Sequence, residues 1–170
     1  MILNGNDFLT YEELLDTADN EGLTVMEKPL TGSDGRIYKN RIAIRSGIDT
    51  TVEKSCVLAE ELGHYYTSSG DILDQSDTMN RKQEYRARLY GYNLKVGLMG
   101  IINSYESGAR NLYEMAEYLD FAEEYLKEAI DCYKSKYGEF VKLDNYIIYF
   151  IPYFAVMKIA TKPILYTERT

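Results

Sequence analysis

Glu60, Glu61 and His64 fall within five consecutive residues, Glu60-Glu61-Leu62-Gly63-His64, and their types and spacing could do metal chemistry. Residues four apart share one face of a helix, about one turn apart, so Glu60 and His64 can grip one cation together. Glu61 is rotated about 100° from Glu60 and can touch a water on that cation. The pattern is that of the H-E-x-x-H zinc helix, with Glu60 in the place of the first histidine. His64 is the only histidine in the 170 residues, so carboxylates must complete any metal site. Glu84, on the next predicted helix, is the expected third ligand, with a fourth position left for water.

The replacement of a histidine by Glu60 has electrostatic consequences. A carboxylate ligates zinc at about 2.0–2.2 Å, so binding is retained in principle. Glu60, His64 and Glu84 together would leave a divalent ion formally neutral. A more neutral site is a weaker Lewis acid, and bound water keeps its proton to higher pH. Carboxylate-rich ligand sets also suit harder ions, so Mn²⁺ or another divalent ion stands beside Zn²⁺ as the expected cofactor. Asp71, Asp74 and Asp77 are alternative third ligands in a polar loop, although turn-forming and capping roles fit them better. Arg88, four residues after Glu84, either steadies that carboxylate or forms a plain helix ion pair. Tyr65 or Tyr66 could stabilise an oxyanion or pack in the core.

These residues need elements to position them. Thr10 to Asn20 reads as a helix opened by a Thr10–Glu13 capping box and stopped by Gly22. Leu23–Glu27, Arg36–Tyr38 and Arg41–Ile44 read as short strands, the last two joined at Lys39-Asn40. A central helix runs from Thr50, capped with Glu53, to about Tyr66. It is apolar over much of its surface, as a buried helix must be. Three polar groups on it are costly unless paired or bound to something. A second helix is expected from about Thr78 to Val96, with Gly97 past its end. A further helical region contains a pair, Asn111–Asp120 and Ala122–Lys136, broken near Asp120. A β-rich tail follows, with Pro152 at a hairpin turn or an edge.

Bulk properties bound the class. The length suits one domain, or one with a small appendage, and 45% hydrophobic residues can fill a core. The net charge of −8 and pI near 4.8 make nucleic acid a poor default partner. Two cysteines, Cys56 and Cys132, are too few for a disulfide framework or a thiolate zinc knuckle and read as reduced, buried thiols. The N-terminus lacks the pattern of a signal peptide. The most apolar run, Tyr146–Met157, is too short for a membrane span, which needs about 20 residues.

The central helix with His64-Tyr65, the Glu84-x-x-Ala87 helix, the strands Arg36–Ile44 and the segment Tyr113-Glu114-Met115-Ala116-Glu117-Tyr118-Leu119 together resemble the ImmA/IrrE family of metallopeptidases. The resemblance spans roughly residues 10 to 160 and is closest to members carried by phages and integrative elements. It implies an α+β fold with a zincin-like core over residues 1–100. The metal helix falls at about 50–66 and the third-ligand helix at about 78–96. Residues 101–170 would form a helical C-terminal region, with its helix pair at about 111–136. A β-hairpin at about 141–159 would pack back on the core. It also implies an intracellular, cytoplasmic hydrolase of a bacterial host cell that cuts a DNA-binding repressor and so derepresses its genes. By the same resemblance Glu61 is the catalytic base, and Glu60, His64 and Glu84 are the metal ligands. A binding module that sequesters a repressor without cutting it is the alternative, with the same core as scaffold.

The helix pair also has the spacing of a helix-turn-helix. Between Leu112 and Asp131 the acids are Glu114, Glu117, Asp120, Glu123, Glu124, Glu128 and Asp131, and Lys127 is the only base, for a net charge of −6. DNA would repel such a recognition helix. A basic protein surface, such as the DNA-binding face of a repressor, would suit it better.

Overall fold

The computed structural model describes residues 9–67 and 77–160, except for the side chains of Asp77 and Thr78. The chain is mixed α+β. Helix α1 (Tyr11–Asn20) leads into β1 (Thr24–Lys28), β2 (Gly35–Tyr38) and β3 (Arg41–Arg45). Helices α2 (Thr51–Thr67), α3 (Asp77–Lys95), α4 (Gly97–Glu106), α5 (Leu112–Leu119) and α6 (Glu123–Tyr137) follow. Strands β4 (Phe140–Leu143), β5 (Tyr146–Tyr149) and β6 (Ala155–Lys158) come last.

Both expected capping boxes form. Thr10 Oγ1 accepts from the Glu13 amide, and Glu13 accepts from the Thr10 amide at 2.8 Å. Thr50 and Glu53 repeat the arrangement at the start of α2. Each box satisfies amides that the first turn leaves without helical partners.

The first sheet has the order β1-β3-β2. Strand β3 pairs parallel with β1 and antiparallel with β2, which is joined to it by the tight turn at Lys39 (φ 54°) and Asn40. Leu14 and Ala18 of α1, Ile42 and Ile44 of β3, and Leu58, Ala59 and Leu62 of α2 form a buried core under this sheet. A fully buried leucine or isoleucine contributes about 1.5–3 kcal/mol, so this layer is what holds α2 against the sheet.

A second core gathers Tyr92 and Val96 of α3, Ile101 and Ile102 of α4, Met115 and Leu119 of α5, Leu126 and Tyr133 of α6, and Ile148 of β5. Helix α3 serves both cores, because its Leu94 packs on the first. Cys132 is buried in the second core, while Cys56 is half-buried on α2. Burial pushes the Cys56 thiol up to about 11.

Two expectations need correction. Helix α4 was not anticipated as a separate element. Gly97, in the left-handed region at φ 61°, ends α3 but also opens α4, whose N-cap Val96 makes no side-chain cap hydrogen bond. The terminal hairpin is instead a three-stranded antiparallel sheet, β4-β5-β6. The connection containing Pro152 divides the apolar run into β5 and β6. The break near Asp120 is as expected, with Asp120 in the left-handed region at φ 58° as the C-cap of α5. The polar loop expected before α3 and the final ten residues lie outside the described residues.

Helices α2 and α3 pack backbone to backbone. A Cβ on Gly63 would collide with the carbonyl oxygen of Ala87, and one on Gly91 would lie 3.2 Å from the Ala59 carbonyl. Neither helix can yield without moving the other, because the obstacle at Gly63 is main chain. Gly63→Ala should therefore cost about 2–3 kcal/mol, the scale of overpacking in a tight interior. Urea unfolding would show this as a lower midpoint with an unchanged slope. A midpoint equal to that of the parent protein would contradict the packing described.

Candidate metal centre

The close approach of α2 and α3 brings the two halves of the candidate site together. Glu60, His64 and Glu84 each offer one ligand atom, and the three atoms lie within 4.8 Å of one another. His64 Nε2 stands 3.6 Å from Glu84 Oε2, longer than a hydrogen bond. Two ligand atoms on a tetrahedral zinc ion stand roughly 3.4 Å apart, given bond lengths of about 2.0–2.1 Å. The His64–Glu84 spacing is close to that, and an oxygen of half-buried Glu60 lies within 4.8 Å of both. The group could hold a metal ion, and the residues present fit one.

Arg88 completes the cluster. Its Nε donates to Glu84 Oε1 at 2.8 Å and lies 3.8 Å from Glu60 Oε1. The two oxygens of Glu84 are thereby divided, Oε1 toward Arg88 and Oε2 toward His64. The expected ion pair forms, and the reach to Glu60 is additional.

Glu61 sits differently from its neighbours. Its side chain is only 8% exposed, between α2 and the edge strand β2. Burial pushes its carboxyl up to about 7, with Glu60 and Glu84 adding to the rise. The Ile37 amide, which donates to it, and Arg36 pull the other way. Alternate residues of an antiparallel strand turn their backbone groups away from the partner, which leaves the Ile37 amide free for this contact. Gly35 makes room for it. A Cβ there would sit 2.5 Å from Glu61 Oε1 and 2.7 Å from Val57 Cγ1. Burial is also the main cause that raises the Glu60 carboxyl, and Arg88 opposes it.

A hollow of about 410 Å³ opens here between Arg36 and Ile37 of β2, Glu61 and His64 of α2, and Asn80, Gln83 and Glu84 of α3. A larger hollow of about 610 Å³, lined by Tyr105, Leu112, Tyr113, Met115 and Phe154 among others, holds none of these residues. Chemistry rather than size singles out the smaller one.

All four sequence-derived residues, Glu60, Glu61, His64 and Glu84, thus meet at one place. Asp71, Asp74 and the side chain of Asp77 lie outside the described residues. Tyr65 packs against the first core, and Tyr66 lies against Tyr90 with ring centroids 5.0 Å apart and the planes tilted by 31°. Sequence reasoning missed Gly35, Arg36 and Ile37. No local signal marks Gly35, because its role arises from a long-range contact. No protein-family model matches the chain, and no curated protein matches it.

The raised Glu61 carboxyl makes stability depend on pH in the metal-free protein. The fold favours protonated Glu61, so this stabilisation is complete below about pH 4.5 and is lost as pH rises to about 7. Glu61→Gln removes the titration. The variant should match the parent near pH 4 and exceed it by roughly 2–3 kcal/mol at pH 8. Denaturant unfolding at the two pH values checks this, and a gap independent of pH would refute it.

Proposed function

We infer that the protein is a metal-dependent endopeptidase with a zincin-like core. The observation that carries this reading is the convergence of Glu60, His64 and Glu84 beside a buried Glu61 whose carboxyl is raised to about 7. A divalent ion held by these three residues would supply Lewis acidity for the scissile carbonyl and for a water molecule. Zn²⁺ is the proposed ion, with Mn²⁺ favoured more than at a two-histidine site.

Glu61 carries the proton chemistry. It accepts a proton from the water that adds to the carbonyl carbon, and it passes that proton to the leaving nitrogen as the C–N bond breaks. A carboxyl near 7 can do both at neutral pH, since efficiency is best when the pKa lies near the working pH. The Ile37 amide and the charge of Arg36 keep the Glu61 carboxyl from rising further. The hollow is shallow and open to solvent, which suits a stretch of chain better than an enclosed small molecule.

The proposed substrate is a DNA-binding repressor, and the proposed setting is the cytoplasm of a bacterial host. Among the described residues no helix is long and apolar enough to cross a membrane. The acidic faces of α5 and α6 favour a basic protein surface over nucleic acid. Arg88 across two of the ligands also keeps the second reading in view, a module that sequesters a repressor without cutting it.

Co-expression with a genomically adjacent repressor separates the two. Cleavage predicts defined repressor fragments that vanish with Glu61→Gln, by a factor of about 10² or more in rate, and with a chelator. Intact repressor that co-purifies with the protein would favour sequestration. Fragments that persist in Glu61→Gln would remove the peptidase mechanism.

A further inference from the structure

The site combines two carboxylates with one histidine, and it also carries an arginine. Arg88 donates to one carboxylate at 2.8 Å and lies 3.8 Å from the other. A divalent ion on Glu60, His64 and Glu84 would be formally neutral, but the same ion with Arg88 counted is at +1. That is the charge of a site with two neutral histidines and one carboxylate. The guanidinium stays charged at any working pH, so the compensation is permanent. Behind it, Arg88 lines a hollow of about 290 Å³ together with Tyr92 and Glu128, where Tyr92 donates to Glu128 at 3.0 Å.

On this basis we propose that Arg88 is the charge-compensating partner of Glu60: it weakens the site's grip on its cation and restores the acidity that the second carboxylate takes away. The inference rests on the reading that Glu60, His64 and Glu84 bind a cation. Two effects of opposite sign follow from its position. As an orienting group, Arg88 would raise metal affinity, because it fixes Glu84 through Oε1 and leaves Oε2 to the ion. As a like charge close to a divalent ion, it lowers affinity. The orienting effect is weak here, because the Arg88 and Glu84 side chains are 52% and 44% exposed and their contact alone holds little geometry. The charge effect acts through space on a doubly charged ion and is the larger one. Arg88 thus acts on the cation chiefly through its charge and through the carboxylates it contacts, not as a ligand.

The sign of the affinity change tests this. Zn²⁺ and Mn²⁺ binding would be measured by competition with a chromogenic chelator for the parent protein, Arg88→Gln and Arg88→Lys, with thermal unfolding as the check on folding. Arg88→Gln should bind about tenfold more tightly, and the gap should narrow as salt is raised. Arg88→Lys, which keeps the charge and loses the planar fork, should stay within about threefold of the parent. Unchanged or weaker binding by Arg88→Gln would overturn the compensating role and leave the metal site standing. Absence of binding in all three proteins would overturn the metal reading itself, and the role of Arg88 with it.

Discussion

The contact on which the rest depends is main chain against main chain, where Gly63 of α2 meets the carbonyl of Ala87 on α3. Helices normally stand apart by the length of their side chains, about 8–10 Å between axes. With no side chain at Gly63 and only short ones at Ala59 and Ala87, the two can come closer. Glu84 then lies opposite the turn that carries Glu60 and His64. Gly91 continues the same seam one helical turn beyond Ala87. A glycine inside a helix costs about 1 kcal/mol relative to alanine, so the seam reflects a balance between local helix preference and interhelical reach.

The second constraint is electrostatic. Three carboxylates, Glu60, Glu61 and Glu84, share a small region with Arg88 and Arg36. Such a cluster opposes folding when its members are ionised, which a purely structural core would avoid. The sheet partly offsets the cost by giving the Ile37 amide to Glu61. Strand β2 is thus both a structural edge and one wall of the hollow, and Gly35 keeps that wall close. Sites where titratable groups are driven away from their ordinary pKa values are frequent places of function.

Much of this was legible in the sequence because its signals are local. The Thr10–Glu13 and Thr50–Glu53 boxes fixed where α1 and α2 begin, and Lys39-Asn40 marked the turn between β2 and β3. Glu60 and His64 were legible as a pair because helix periodicity converts their spacing into a shared face, while Glu84 was expected from the next helix. What stayed hidden was non-local or lacked a marker. The parallel pairing of β1 with β3 depends on which strands meet, and no residue pair announces it. Helix α4 has no side-chain cap at Val96 and begins on a glycine, Gly97, that reads as a terminator. The β5–β6 division sits inside one apolar run. The contact of Ile37 with Glu61 joins residues 24 positions apart and depends on the sheet edge being turned toward α2.

The raised thiol of Cys56 has a practical consequence. At neutral pH roughly one molecule in ten thousand carries the thiolate there, since its pKa is held near 11. Thiol reagents and peroxide attack the thiolate, so in the native state they meet an almost silent sulfur. Cys132, buried in the other core, is held up by burial in the same way. Cys132 is therefore an internal clock whose labelling rate reports how often α6 opens to solvent, whereas half-buried Cys56 is quiet chiefly because its thiol is held up.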